Sequence, residues 1–218
     1  EEIKGTAAKS APYSDWLQTH LADLDKLPQA EPETEKLPLV KAQKAFGYTY
    51  EDLRMFLAPM VTTGVDPVGA MGTDTPLAVL SQRPMLLYEY FKQLFAQVTN
   101  PPIDALREEI VTSPVVYLGA EGNLLSPGPE SCRRIRLSHP VLSKAELARL
   151  KAVQDGPFKS AVLPILFKAG GGGAALKAAL DALFASAEEA IHEGASILIL
   201  SDRGVDEEHA AIPALLAV

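Results

Sequence analysis

The 218-residue chain is 47% hydrophobic and 22% charged, ordinary values for a globular fold, and is long enough for one large domain or two small ones. Its net charge of −8 is spread along the sequence, which argues against a nucleic-acid backbone or an anionic membrane surface as partner. The single cysteine, Cys132, excludes a disulfide framework and a Cys/His zinc cluster and points to a reducing cytosol or stroma, a cytoplasmic setting.

No apolar run is long enough to span a bilayer, and no basic-apolar-small signal opens the chain. The sequence begins Glu1-Glu2-Ile3 and stops at Val218, just after Pro213 opens an apolar helical turn. The expectation is an excised internal piece of a larger enzyme, without a complete active site of its own.

Residues 1–38 read as a connector. Trp16, Leu17, Leu21 and Leu24 lie near helical spacing, so a helix is expected from Pro12 to Leu27 with Ser14 as its cap. Pro28 to Pro38 is rich in Pro and Glu and reads as an extended strap. Two short helices follow in 39–63. Gly47 ends the first, and Thr49 to Asp52 caps the second. Leu53, Phe56, Leu57 and Met60 form an apolar stripe there, and Pro59 is expected to weaken or end the helix.

Residues 64–83 are glycine-rich and irregular, with Leu77 to Leu80 a candidate buried strand. Pro84 opens an amphipathic helix with Leu87, Phe91, Leu94, Phe95 and Val98 on one face, stopped by Asn100-Pro101-Pro102. A short helix covers Asp104 to Val111, and strands are expected at Val115 to Leu118 and Arg134 to Leu137. Ser143 to Glu146 is a capping box opening a helix to about Val153.

The pattern then becomes strand, helix, strand. Ala161 to Phe167 is an apolar run, and Leu176, Leu180, Leu183, Phe184, Ala187 and Ile191 form a long stripe capped by Gly194. Ser196 to Leu200 is a buried strand. Such a unit implies parallel pairing. The predicted class is α/β, with parallel strands and a largely helical N-terminal part.

Five features carry possible chemistry. The loop Lys168 to Gly173 lies between strand and helix, where backbone N–H groups and the helix dipole can cradle a phosphate. It lacks the lysine and hydroxyl of a P-loop and the spacing of a dinucleotide fingerprint. It therefore reads either as a flexible surface turn or as the site of an independent phosphate-binding α/β enzyme, through glycines 170–173. Ser201-Asp202-Arg203 sits at a strand end, where α/β folds gather functional groups; it holds a ligand carboxylate or fixes the next loop. His20, His139, His192 and His209 fall in four separate segments, and Cys132 stands beside Arg133 and Arg134. The glycine- and hydroxyl-rich stretch 64–102 around Met71 faces a ligand or another domain, or is a rigid packing corner.

The runs Phe46 to Leu53, Leu57 to Met60, Pro67 to Ser81 and Tyr90 to Asp104, with Arg107-Glu108-Glu109, resemble the glutamate synthase large-subunit family, as do Leu137 to Leu142 and Leu198 to Arg203. The resemblance covers most of residues 39–218 and is most specific from Met71 to Glu109.

It implies that 39–218 is the front part of a central domain resembling a reduced, partial β/α barrel. It further implies neighbours in the same chain: a glutamine amidotransferase domain and a synthase domain holding FMN and an iron–sulfur cluster. A reductase small subunit or ferredoxin is implied for the parent, an oxidoreductase making glutamate from glutamine-derived ammonia and 2-oxoglutarate. The amidotransferase cysteine, the cluster cysteines and the FMN barrel are missing from this sequence, so a non-catalytic role is expected. The resemblance gives this domain the task of joining the catalytic domains and walling an ammonia tunnel, with Met71, Thr99 and Asn100 near its entrance.

Overall fold

The computed structural model describes residues 2–34, 36–65, 67, 78–82, 85–91, 103–154 and 158–218. In chain order the elements are α1 (Glu2–Ala8), α2 (Tyr13–His20), β1 (Ala22–Asp23), α3 (Leu39–Ala45), a π-helical stretch (Asp52–Leu57) running into α4 (Ala58–Thr63), α5 (Ala105–Val111), β2 (Val116–Leu118), β3 (Ile135–Leu137), α6 (Lys144–Ala152), β4 (Ser160–Pro164), β5 (Leu166–Lys168), α7 (Gly172–His192), β6 (Ile197–Ser201), β7 (His209–Ala211) and α8 (Ala214–Ala217). The chain divides into two units. The first comprises Glu1–Thr34, Asp104–Leu163 and Phe184–Ser201; the second comprises Glu35–Ile103, Pro164–Leu183 and Asp202–Val218. Helices combine with strands that include a parallel pair, so the class is α/β as expected. Among the described residues the strands form three small sheets and no closed barrel.

In the first unit, tertiary pairing overrides helical periodicity. The expected helix to Leu27 stops at His20. Leu21 turns extended (φ −80°, ψ 121°), and the Ala22 N–H donates to the Arg134 carbonyl at 2.9 Å. β1 lies parallel to β3, with Ala22 opposite Ile135. On its other side β3 pairs antiparallel with β2, bringing Leu118 opposite the same Ile135. A short 3-10 turn, Leu24–Lys26, then drives Leu24 into the core. That core gathers Leu24, Ile135, Leu137, Leu150, Val153, Phe158 and Ile197. The segment read as a connector therefore supplies both a strand and a core side chain.

Local signals fix the helices around this sheet. The Asp104 carboxylate accepts the Leu106 and Arg107 N–H groups, both at 3.1 Å, at the start of α5. The capping box at α6 is complete. The Ser143 hydroxyl accepts from the Glu146 N–H at 3.2 Å, and the Glu146 carboxylate accepts from the Ser143 N–H at 2.7 Å. Each closes a donor the helix would leave open.

The apolar run Ala161 to Phe167 does not make one strand. β4 pairs with β6, whereas β5 pairs with β7. Pro164 has no N–H for a ladder and stands at the break. In the second unit β5 and β7 are antiparallel, with Phe167 opposite Ala210, and Ile165, Leu183, Ile212 and Ala217 are buried. The Ile212 N–H reaches the Ile165 carbonyl at 2.8 Å and prolongs this pairing.

Three further expectations change in the second unit. Pro59 does not end its helix, which continues to Thr63 and terminates at Gly64 in the left-handed region (φ +68°). The Ala58 N–H bonds the Leu53 carbonyl, five residues back. The missing Pro59 donor thus falls where the ladder already changes register, not within a regular α-helix. Residues 78–80 are not a buried strand. Val79 and Leu80 are exposed, in a turn closed by the Ser81 N–H on the Ala78 carbonyl at 2.8 Å. Leu87–Phe91 forms a 3-10 turn, Met85 and Leu86 ahead of it are not helical, and residues 84 and 92–100 of the helix expected from Pro84 lie outside the described residues.

Candidate functional site

The three residues assigned to a tunnel entrance, Met71, Thr99 and Asn100, lie outside the described residues. A cavity of about 420 Å³ lies among the described residues of the first unit. β1 contributes Asp23, the turn after it Lys26, β3 Arg136, and the segment between β3 and α6 His139. Glu146 from the first turn of α6 also lines it.

The charges here are spent on one another. Arg136 clasps one oxygen of Asp23, with Nε at 2.7 Å and Nη2 at 2.6 Å. Lys26 Nζ holds the other oxygen at 2.9 Å. The hydrogen bond from Lys26, then the hydrogen bond and charge of Arg136, keep the Asp23 carboxyl below its ordinary value. The Ser143 cap lowers Glu146 in the same way. Both acids are ionised near neutrality, so neither is a proton donor there. The cluster ties β1 to β3 at the end of their parallel pairing, and scaffolding is the role its geometry supports.

The other candidates resolve individually. In the loop 168–173, Lys168 sits in β5 opposite His209, and a short 3-10 turn, Ala169–Gly171, leads into α7. Gly172 adopts φ +58°, ψ −151°, a conformation essentially confined to glycine. The strand-to-helix turn therefore accounts for a glycine here without invoking a ligand. Ser201 ends β6, Asp202 is exposed, and Arg203 is half-buried at the turn. Next to it lies a group that motif reading missed. The Asp206 carboxylate accepts the N–H groups of Glu208 at 2.9 Å and His209 at 2.7 Å, and stands 3.0 Å from His209 Nδ1. Those backbone donors hold its carboxyl below the ordinary value. The available signal was an aspartate two and three residues ahead of the amides it caps.

His20 ends α2, His192 ends α7, and His209 begins β7. Among the described residues no three His, Cys, Asp or Glu side chains are placed to hold a metal ion. Cys132 ends a 3-10 turn, Pro129–Cys132, and is half-buried. Nearby, Arg134 Nη1 lies 3.3 Å from the Glu121 carboxylate. No helix among the described residues is long and apolar enough to cross a membrane.

The described geometry defines an α/β scaffold whose charged side chains hold elements of structure together. Residues 41–218 match the family described as the glutamate synthase central domain, and the chain belongs to that family. Over its whole length it is 47% identical to the glutamate synthase [NADPH] large chain of Bacillus subtilis. It is 43% identical to the chloroplastic ferredoxin-dependent glutamate synthase of Spinacia oleracea, and 38% to the glutamate synthase [NADH] of Schizosaccharomyces pombe, again over its whole length. The chain spans 14%, 14% and 11% of those three proteins.

Proposed function

We propose that this chain is the non-catalytic central domain of a cytoplasmic glutamate synthase. In this reading it joins an amidotransferase domain to an FMN-containing synthase domain and helps wall the path of ammonia between them. Residues 1–38 strap it to the preceding domain, and Met71, Thr99 and Asn100 lie near the path's entrance. One observation carries the proposal. Relatives named for NADPH, NADH and ferredoxin all contain this segment at 38–47% identity, so its task is common to enzymes fed by different electron donors. Joining and channelling have that property; docking a donor does not.

The chemistry favours an enclosed path. Protonated ammonia has no lone pair with which to attack a ketone, and desolvation disfavours the charged form. A methionine suits a narrow passage because its side chain adapts, while threonine and asparagine offer hydrogen bonds to a small polar traveller. The iron–sulfur cluster implied for the parent does not fit this segment. Its one cysteine cannot supply the thiolates of an iron–sulfur cluster, and no step is assigned to FMN here.

The test uses the full-length enzyme with Met71→Trp and Thr99→Trp. Glutamine hydrolysis is expected to outrun glutamate formation in both variants. Matched rates, as in the parent, would reject the channel assignment.

A further inference from the structure

The family match begins at residue 41, but the core of the first unit draws on the chain well before that. Between Ala22 and Glu33 it meets elements more than a hundred residues further on. The Ala22 N–H donates to the Arg134 carbonyl at 2.9 Å, and Asp23 lies opposite Arg136 in the parallel pairing with β3. Leu24 is 5% exposed, buried with Ile135, Leu137 and Leu150, and Leu27 packs against the same cluster. Two basic side chains in the last turn of α6 take the next contacts. Arg149 Nη1 donates to the Asp25 carbonyl at 3.3 Å, and Lys151 Nζ reaches the Glu33 carboxylate at 2.8 Å. Both are largely covered, their side chains 19% and 14% exposed. A flexible linker keeps its backbone solvated and inserts no side chain into a core. Here a backbone donor pairs with a sheet edge, a leucine enters the core and acids meet basic side chains, which is how an extended peptide docks by strand addition.

We propose that β3 and α6 form a peptide-docking groove whose occupant is the segment Ala22–Glu33 of the same chain. The segment is held by its contacts with the groove and not by its continuity with α3. The groove takes a strand with a small residue opposite Ile135, a carboxylate against Arg136, a leucine in the core, and acidic residues beside Arg149 and Lys151. The folding unit therefore includes Ala22–Glu33, which precedes the residues matched to the family. This goes beyond the linking role proposed above and is independent of the ammonia path.

The experiment uses the full-length enzyme with a protease recognition sequence inserted after Thr34. Amide hydrogen exchange of residues 22–27 is followed by mass spectrometry before and after cutting, against a free peptide of the same sequence. Exchange at least about tenfold slower than in the free peptide is expected in both states. Less slowing in the intact enzyme overturns the docking, and less slowing after the cut shows that continuity alone held the segment and also overturns it. A charge exchange tests the groove's preference. Asp23→Arg sets a cation against Lys26 and Arg136, and is expected to speed exchange of 22–27 by about threefold or more, with residues 209–212 of the second unit unchanged as the control. Asp23→Arg combined with Arg136→Asp is expected to restore the slow exchange. No acceleration in the single variant, or no recovery in the double one, refutes recognition of the segment by Arg136. Since these readouts do not depend on coupling of the two reactions, failure here is distinct from failure of the Met71 and Thr99 test.

Discussion

Ile135→Ala probes the core of the first unit most directly. Ile135 is 0% exposed and sits on the middle strand of β1-β3-β2, opposite Ala22 on one side and Leu118 on the other. Truncation removes three carbons from a fully enclosed position. At about 0.8 kcal/mol per buried methylene, the lost transfer energy is about 2.4 kcal/mol. Strands on both sides limit collapse, so a cavity cost adds to this and brings the total to about 3–4 kcal/mol, inside the range of about 2–5 found for such truncations. Urea unfolding followed by far-ultraviolet circular dichroism reads the change as a lower midpoint at constant slope. Leu125, 96% exposed, is the control, and Leu125→Ala should change stability by no more than about 0.5 kcal/mol. Ile135→Val should fall between, at about 1 kcal/mol. If Ile135→Ala and Leu125→Ala unfold at the same midpoint, the assignment of this core is wrong.

Two more outcomes follow from the polar contacts. Ser143→Ala removes one half of the capping box at α6 and should cost about 1 kcal/mol in the same urea experiment; no change would mean that the hydrogen bonds at 2.7 and 3.2 Å contribute nothing net. The Asp23 carboxyl is held below its ordinary value by Lys26 and Arg136, so the folded chain binds its proton less tightly than the unfolded one. Its contribution is therefore complete above the unfolded value, about 3.9, and disappears as pH falls through the lower folded value. Wild type should lose its advantage over Asp23→Asn in that acid window, with the melting curves converging at the lowest pH; a constant separation would show that the carboxylate's charge is irrelevant.

What was legible in the sequence was local. Asp104, Ser143 and Glu146 announce helix starts because a cap lies within three residues of the amides it serves, and α7 carries its own long stripe. The failures are equally physical. Nothing near Ala22 indicates that Arg134, more than a hundred residues away, will capture it into a strand. Pro164 divides one apolar run between two sheets, which its missing N–H permits but does not by itself specify. Asp23, Lys26 and Arg136 meet only because β1 and β3 run parallel, so their cluster was invisible without topology, while Asp206 and His209 form a turn that short-range reading had the means to find. Met71, Thr99 and Asn100 came from the family resemblance alone and lie outside the described residues.

Both units bury a core and leave apolar side chains open among the described residues, and that open surface bears on the proposed role. The first gathers seven buried side chains into one cluster yet leaves Leu106, Ile110 and Leu125 exposed. The second leaves Met55, Phe56, Leu57, Met60 and Val61 open. A part that must hold its neighbours in place needs apolar area for them to cover, and any area reserved for that purpose is bare when the part stands alone. Rigid attachment also matters to a passage for neutral ammonia, because a seam that admits water restores the charged form. On this reasoning, if the proposed role holds, polar substitutions at Met55 and Val61 in the full-length enzyme should raise glutamine hydrolysis relative to glutamate formation, and matched rates would refute it.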